Sequence, residues 1–316
     1  MGWRSARGKR IAYQAAALAG ALLVAWFLIS NTMTNLEERR IASGFGFLNR
    51  EAGFEIGESA FLRYGAADSY LRALFVGLSN TLLVAAIGVV LATILGTFIG
   101  LARLSKNFLL RTLSAGYVEF IRNVPLLVQL FFWYAVITEG MPGPREALSP
   151  LPGVFLSNRG IFLPTFSSVP EIQGFNFVGG IGVSPEFAAL LFGLTTYTAA
   201  FIAEIVRAGI LAVDKGQGEA AHALGLTRAQ TIRLIILPQA LRVIIPPMTS
   251  QYLNLTKNSS LAVAIGYPDL VSIANTTMNQ TGQAIEGIAI IMAVYLTISL
   301  SISAFMNWYN ARIALR

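Results

Sequence analysis

Few side chains in this 316-residue sequence could carry out catalysis. There is no cysteine and only one histidine, His222, so thiolate chemistry, iron–sulfur clusters and multi-histidine metal sites are excluded. No GxxxxGK[ST] segment is present to hold a nucleotide phosphate. We therefore expect no metal site, no cofactor and no enzymatic activity in this chain.

Two charged residues stand inside otherwise apolar stretches. Glu204 and Lys257 fall in segments that are long and hydrophobic enough to cross a bilayer. Ionisable groups at membrane depth are costly and by default indicate function. The structural alternative is that Glu204 pairs with Arg207 one helical turn away, while the long side chain of Lys257 reaches toward the membrane surface. Both interpretations stay open at the level of sequence.

The composition indicates a chain dissolved mostly in lipid. Hydrophobic residues make up 55% of the sequence and charged residues only 12%, which excludes disorder and an ordinary soluble enzyme. The formal net charge of +7 could suit a polyanion, but basic residues in a membrane protein usually report its orientation. We therefore expect contact with membrane lipid and not with nucleic acid.

Six segments are predicted to be membrane-spanning helices, since each has about 20 or more mostly apolar residues. Their ranges are 11–36, 73–102, 109–137, 185–211, 241–265 and 287–311. In the third, Pro125 is expected to break the helix where the true span begins. Residues 138–184 hold six prolines and many glycines, so we predict an irregular loop outside the membrane.

The first segment has a competing interpretation as a cleaved signal peptide, because basic residues precede it. It is longer than a usual signal core, and Asn31–Thr34 makes a poor small-residue cleavage site. A retained anchor helix is favoured. The predicted domains are residues 1–72, an anchor helix with an outer loop, and residues 73–310, the main transmembrane domain.

The distribution of basic residues predicts the orientation of the chain. With six spans, the segments on one side, 1–10, 103–122, 207–242 and 312–316, hold 15 lysines and arginines, whereas the opposite loops 30–72 and 138–184 hold 7. Basic residues concentrate on the cytoplasmic side of membranes. Both termini are therefore predicted to be cytoplasmic.

The segment 212–240, predicted to be cytoplasmic, has the sequence of a compact helical element. Residues 217–224 favour a helix that ends at Gly225, a typical glycine terminator. Thr227 and Gln230 form a capping box that starts another helix, which runs toward Pro238. We predict two short helices joined at an angle by a glycine turn. Such a rigid knob suits insertion into a groove of another protein.

The same segment carries a family resemblance. Its spacing, Glu219-Ala220-Ala221, three residues, Gly225, nine residues, Ile235, one residue, Leu237-Pro238, resembles the EAA loop in permease subunits of bacterial ATP-binding-cassette (ABC) importers. Residues 120–129, 203–210 and 257–261 are similar to spans of the polar amino acid permeases, and residues 265–270 and 279–284 to their general L-amino acid branch. The resemblance covers about residues 73–310.

This resemblance implies a type I ABC importer permease fold, all-α, in the bacterial inner (cytoplasmic) membrane. It implies three protein partners: an ABC ATPase subunit, a second permease chain forming a homo- or heterodimer, and a periplasmic amino-acid-binding protein. The residues it implies for ATPase coupling are Glu219, Ala220, Ala221, Gly225, Leu237 and Pro238. A secondary transporter or channel without an ATPase partner is the alternative.

An amino acid substrate gives the buried charges a chemical role. A zwitterion offers one ammonium and one carboxylate, so Glu204 and Lys257 facing one cavity would be suitable partners. The predicted substrate path comprises Glu204, Lys257, Asn254, Asn258 and Ser259. Its structural alternative remains the pairing of Glu204 with Arg207.

Overall fold

The computed structural model describes residues 6–38, 43–59 and 61–314. Ten α-helices are described: α1 Ala6–Glu38, α2 Tyr70–Arg103, α3 Phe108–Asn123, α4 Leu126–Thr138, α5 Pro185–Leu211, α6 Lys215–Ala223, α7 Arg228–Thr231, α8 Leu237–Asn258, α9 Leu270–Thr281 and α10 Ala284–Ala314. Five helical stretches within this part of the chain are long and apolar enough to cross a membrane, or six if α3 and α4 form one broken span. The predicted helical membrane fold with about six spans is confirmed.

Helix α5 is the centre of the bundle. It packs against α2, α4 and α8, and about half of its residues are buried, with Ala199 and Ile202 fully so. Glycines on α2 permit the close approach: a Cβ built on Gly96 would lie 2.6 Å from the Cβ of Ile202, and one on Gly100 would lie 2.7 Å from the oxygen of Ala203. Small residues at helix interfaces are the usual means of tight packing in membranes.

Helix α1 is exposed at nearly every residue from 9 to 35. Its bounds enclose the predicted first span, 11–36. The prediction that both termini are cytoplasmic concerns residues that lie outside the described part of the chain.

The predicted break at Pro125 is confirmed. Helices α3 and α4 are bent by 107° at this point, and Pro125 is the residue that immediately precedes α4. The side-chain amide of Gln129 donates to the backbone oxygens of Ile121 and Val124, at 2.9 and 3.0 Å. These bonds satisfy carbonyl groups that the broken helix leaves without a partner.

The prediction of an irregular loop at 138–184 is wrong. This region contains six strands: β1 Leu148–Leu151, β2 Val154–Ser157, β3 Gly160–Leu163, β4 Glu171–Gln173, β5 Asn176–Val178 and β6 Ile181–Val183. An antiparallel sheet has the order β1-β2-β3-β6, and β4 and β5 form a separate hairpin. Most of the prolines and glycines lie outside the strands, in the turns and in the segment before β1, so their density did not exclude a sheet. Pro150 lies in β1, an edge strand, where proline is tolerated.

The second helix of the predicted knob does not end near Pro238. Helix α7 passes through a π-helical turn, Ile232–Ile236, directly into α8, so one helical stretch runs from Arg228 to Ile265, ending in 3₁₀ geometry. Pro238 falls near the first residues of α8, where a missing N–H is tolerated. We call the end of the bundle that carries α6 and α7 the knob end and the opposite end the sheet end.

Candidate functional site

The knob, residues 215–231, is held by a complete set of helix caps. Asp214 accepts a hydrogen bond from the amide of Gly216 at 2.7 Å and starts α6. At the other end, the amide of Gly225 donates to the oxygen of His222, and the amide of Leu226 donates to the oxygen of Ala221. This is a Schellman motif, and it requires the left-handed conformation of Gly225, whose φ is +80°.

The capping box predicted for α7 is confirmed. The hydroxyl of Thr227 accepts from the amide of Gln230, and the side chain of Gln230 accepts from the amide of Thr227 at 2.8 Å. Only one residue, Leu226, lies between Gly225 and Thr227, so the direction of α7 relative to α6 is fixed by backbone hydrogen bonds. The knob is a defined shape and not a loose loop.

The coupling residues predicted from sequence divide between the inside and the surface of the knob. Ala221 is buried, whereas Glu219, Ala220, Gly225, Leu237 and Pro238 are exposed. Leu224, which the prediction did not include, is 83% exposed at the tip. A single exposed apolar side chain is ordinary at a protein surface, so it is the position of Leu224 on the capped knob that makes it a candidate contact with a partner protein. The roles of these residues stay predictions.

The imidazole of His222 contacts the backbone of the knob. Its Nδ1 lies 3.2 Å from the backbone oxygen of Leu226, and its side chain is exposed. Among the described residues, no group of three or more histidines, cysteines or carboxylates could hold a metal ion.

Glu204 is part of an ion-pair cluster near the knob end. Arg207 donates to both of its carboxylate oxygens, with the shorter contact at 2.6 Å, and Arg103 from the end of α2 donates to one of them. The cluster ties α2 to α5 and carries one excess positive charge. The pairing of Glu204 with Arg207, which the sequence analysis kept as an alternative, is therefore present.

The other predicted path residues lie on or near α8. Asn254 and Lys257 are exposed, Asn258 is partly buried, and Ser259 is fully buried with its hydroxyl donating to the oxygen of Thr256 at 2.7 Å. Together with the exposed Ser250, the polar side chains form a stripe along one face of this span. A stripe of this kind is costly against lipid, so it faces water or another protein chain.

Glu204 and Lys257 lie at different depths. Gly209 of α5 packs against Ile244 of α8 where these antiparallel helices cross. Counted from that contact toward the sheet end, Glu204 is five residues away and Lys257 is thirteen residues away. The difference is about 12 Å at about 1.5 Å per residue. The two charges are not brought together as partners for one zwitterion, and contact of either with a substrate stays a prediction.

Arg103 is a functional candidate that the sequence analysis missed. It ends the long charge-free stretch of α2, and its partner Glu204 is 101 residues further along the chain. The available signal was topological: the predicted second and fourth spans each carry a charge near the same membrane face. From these two charges a pairing between the spans could have been inferred, but the geometry of the contact could not.

At the sheet end, the segments 43–59 and 61–69 lie across the ends of several helices. The side-chain amide of Asn80 on α2 donates to the backbone oxygens of Glu58 and Pro268, both at 2.9 Å. The carboxylate of Glu58 accepts from the hydroxyl of Ser184, the N-cap of α5. Burial raises the pKa of Glu58, the Ser184 hydrogen bond opposes that rise, and the nearby charge of Glu186 adds to it.

Known proteins are similar to this chain in sequence and in fold. Residues 88–315 match the family described as "Binding-protein-dependent transport system inner membrane component". The chain is 47% identical to the putative amino-acid ABC transporter permease protein YhdX of Escherichia coli (strain K12), over 96% of this chain and 93% of that protein. It is 42% identical to the general L-amino acid transport system permease protein AapQ of Rhizobium johnstonii, over 97% and 92%.

A solved structure has a similar fold. It is described as the crystal structure of an amino acid ABC transporter with histidines, and the TM-score is 0.57 with 29% identity, over 77% of this chain and 95% of that one. The family match, the helical bundle and the knob at 215–231 agree with one another. This chain belongs to the family of inner membrane components of binding-protein-dependent transport systems.

Proposed function

We propose that this chain is the permease subunit of an ATP-driven importer of L-amino acids in the bacterial inner membrane. Its partners are a cytoplasmic ABC ATPase subunit, a second permease chain, either identical or related, and a periplasmic amino-acid-binding protein. Both termini and the knob face the cytoplasm. The observation that carries this proposal is the capped knob at 215–231, which continues as one helical stretch into a membrane span.

The knob converts ATPase motion into motion of the bundle. Glu219, Gly225 and the exposed Leu224 form the surface that docks in the ATPase. Because α7, the π-helical turn and α8 are continuous, displacement of the knob shifts α8 without an intervening flexible joint. A rigid element of this kind transmits a displacement that a loose loop would absorb.

The ion-pair cluster keeps the central helices together during this motion. Arg103 on α2 and Arg207 on α5 both hold the carboxylate of Glu204 near the knob end. The packing of α2 against α5 at Gly96 and Gly100 continues the same contact toward the sheet end. The pair α2–α5 therefore moves as one body while α8 is displaced.

The path for the amino acid lies along the polar stripe of α8. The exposed side chains Asn254 and Lys257 and the partly buried Asn258 face the second permease chain across a water-filled space. Lys257 supplies a positive charge for the substrate carboxylate. Glu204 and Ser259, which are engaged inside the bundle, support the helices that line the path.

The substrate class is supported by the relatives and not by the fold alone. The relatives YhdX and AapQ are both described as amino-acid permeases, and both align over more than nine tenths of their length. A secondary transporter or a channel would share the spans and the buried charges, but neither explains a capped knob with the EAA spacing.

The test is purification of the chain from membranes with its bound partners, followed by ATPase assays with a panel of amino acids and the binding protein. We expect an ABC ATPase to co-purify and amino-acid-loaded binding protein to stimulate hydrolysis. Purification without an ATPase, together with uptake that persists in ATP-depleted vesicles, would support the secondary transporter instead.

A further inference from the structure

A polar cavity at the sheet end takes no part in the coupling described above. Its volume is about 480 Å³, and it lies between the end of α4, the start of α5 and the strands. Its lining residues are Tyr134, Thr138, Asn158, Arg159, Asn176, Pro185 and Glu186. Small-molecule sites have volumes of roughly 300 to 1,000 Å³, so the cavity has room for a free amino acid.

The sheet places Arg159 over the start of α5. Arg159 lies in the two-residue turn between β2 and β3. Strand β3 pairs with β6, which leads through Ser184 into α5. The turn is also fixed from its other side, because the amide of Asn158 donates to the backbone oxygen of Pro142 at 2.9 Å. The position of Arg159 is therefore set by strand pairing.

Glu186 lines the same cavity from the first turn of α5. The hydroxyl of Tyr134 donates to its Oε1 at 3.1 Å, which fixes the carboxylate against α4. Glu186 also lines a neighbouring cavity of about 450 Å³, whose lining includes Glu55 and Glu58. The carboxylate is thus at the junction of two polar spaces at the sheet end.

The two opposite charges of the first cavity do not neutralise each other. The ion pairs formed by the described residues involve neither Arg159 nor Glu186. A cavity with a carboxylate and a guanidinium on its walls, not joined to each other, is complementary to a molecule that carries both charges. A free α-amino acid is such a molecule, since its ammonium and carboxylate are attached to one carbon.

We propose that this cavity is an entry site that holds a free α-amino acid, with its ammonium on Glu186 and its carboxylate on Arg159. Tyr134 positions the Glu186 carboxylate, and the hydroxyl and amide groups of Thr138 and Asn176 face the substrate side chain. The inference rests on the proposed function, because it identifies where the amino acid is held between its release by the binding protein and its passage along α8.

The test measures direct binding to the purified complex of permease chains and ATPase, without the binding protein. Equilibrium dialysis, run separately with each ¹⁴C-labelled amino acid including glycine, gives the affinities. Glycinamide, which lacks the carboxylate, and N-acetylglycine, which lacks the ammonium, are compared with glycine as competitors. We expect glycine to compete about tenfold better than either, because each analogue loses one charge-assisted contact.

Two variants remove the charges of the cavity one at a time. Arg159→Gln and Glu186→Gln are each expected to lower the affinity about ten- to hundredfold. The matched controls are Arg145→Gln and Glu171→Gln, which remove the same charges from the strand region without touching the cavity lining, and they should bind as wild type. Tyr134→Phe, which keeps the ring and removes the hydrogen bond, should lose affinity by a few-fold.

Several results would overturn this inference. These are no amino acid binding by the wild-type complex, unchanged affinity in both cavity variants, or competition by the two analogues equal to that of glycine. Loss of affinity for the binding protein with amino acid binding intact would show that a protein surface occupies the cavity, and would equally overturn it. ATP-driven uptake by the wild-type complex tests the proposed function separately, so its failure is distinguishable from failure of the entry site.

Discussion

The contact between Arg103 and Glu204 should stabilise the bundle more than the contact between Arg207 and the same carboxylate. The side chain of Arg103 is only 14% exposed, whereas that of Arg207 is 31% exposed and lies one turn away on the same helix. Removing one partner of a buried ion pair costs about 3–5 kcal/mol, and an exposed helical pair contributes about 0.3–0.5 kcal/mol. The energy of the Arg103–Glu204 contact should lie between these two values, and that of the Arg207–Glu204 contact should lie near the lower value.

We therefore expect coupling energies of about 1–3 kcal/mol for Arg103 with Glu204 and about 0.5 kcal/mol for Arg207 with Glu204. The perturbation is a pair of double-mutant cycles built from Arg103→Gln, Arg207→Gln and Glu204→Gln. Glutamine matches the shape of glutamate and is shorter than arginine, so the two arginine variants lose similar packing and the cycles compare the charge contacts. Unfolding by SDS titration in mixed micelles gives the free energies, and labelled amino acid uptake is measured on the same variants.

Equal coupling energies in the two cycles, or a larger value for Arg207, would refute the clamp between α2 and α5. A second outcome would restore the alternative function of Glu204. If Glu204→Gln abolishes uptake while the unfolding free energy and ATPase co-purification stay at wild-type values, the carboxylate acts on the substrate and not on the bundle.

Three further predictions concern the knob, the sheet end and the core. Gly225→Val should abolish uptake while membrane insertion survives, because a β-branched residue at φ +80° is strained by about 1–3 kcal/mol and misdirects the knob; uptake and membrane fractions are compared. Burial raises the pKa of Asp269 to about 6 from 3.8, so the folded chain loses stability as the pH rises from about 4 to about 6, in total roughly 3 kcal/mol. Asp269→Asn should remove that fall in unfolding titrations, since asparagine keeps the N-cap bond to Ser272. Gly96→Ala should destabilise the bundle by about 1–3 kcal/mol in SDS titrations, because its Cβ would meet Ile202.

Each of these has a matched control. Gly218→Ala changes a glycine of α6 that has open space around it, and it should support normal uptake. Asp269→Ala removes the carboxylate and the cap together, so it should be less stable than Asp269→Asn by about 1 kcal/mol. Gly116→Ala places a methyl group in open space on α3, and it should be more stable than wild type by up to about 1 kcal/mol because alanine favours the helix. Wild-type uptake in Gly225→Val, pH-dependent stability unchanged in Asp269→Asn, or equal stabilities of the two helix-interior glycine variants would each contradict the corresponding argument.

The features that sequence predicted correctly are those set by local chemistry. The length of the hydrophobic segments predicted the membrane spans. Pro125 predicted the helix break, because proline lacks a backbone N–H donor and clashes with the preceding turn. Gly225 and the pair Thr227–Gln230 gave the caps of the knob, since each depends on residues only a few positions apart.

The features that sequence did not predict depend on residues far apart in the chain. Arg103 and Glu204 meet because α2 and α5 pack closely, which no local pattern records. The four-stranded sheet depends on β3 pairing with β6 across 17 intervening residues, and the helix α9 lies in a stretch that was given no structure. The continuity of α7 with α8 was missed because Pro238 usually marks a helix end.

The central claim is that the knob couples ATP hydrolysis in a partner subunit to amino acid import by this chain. The most direct measurement is ATP-dependent uptake of labelled amino acids into proteoliposomes that contain the purified permease–ATPase complex with loaded binding protein outside. Wild type is compared with Gly225→Val in the same complex, with hydrolysis recorded in parallel. We expect wild-type uptake to require ATP, and Gly225→Val to lose uptake and the stimulation of hydrolysis by the binding protein. Uptake that proceeds without ATP, or that is unchanged in Gly225→Val, would contradict the claim.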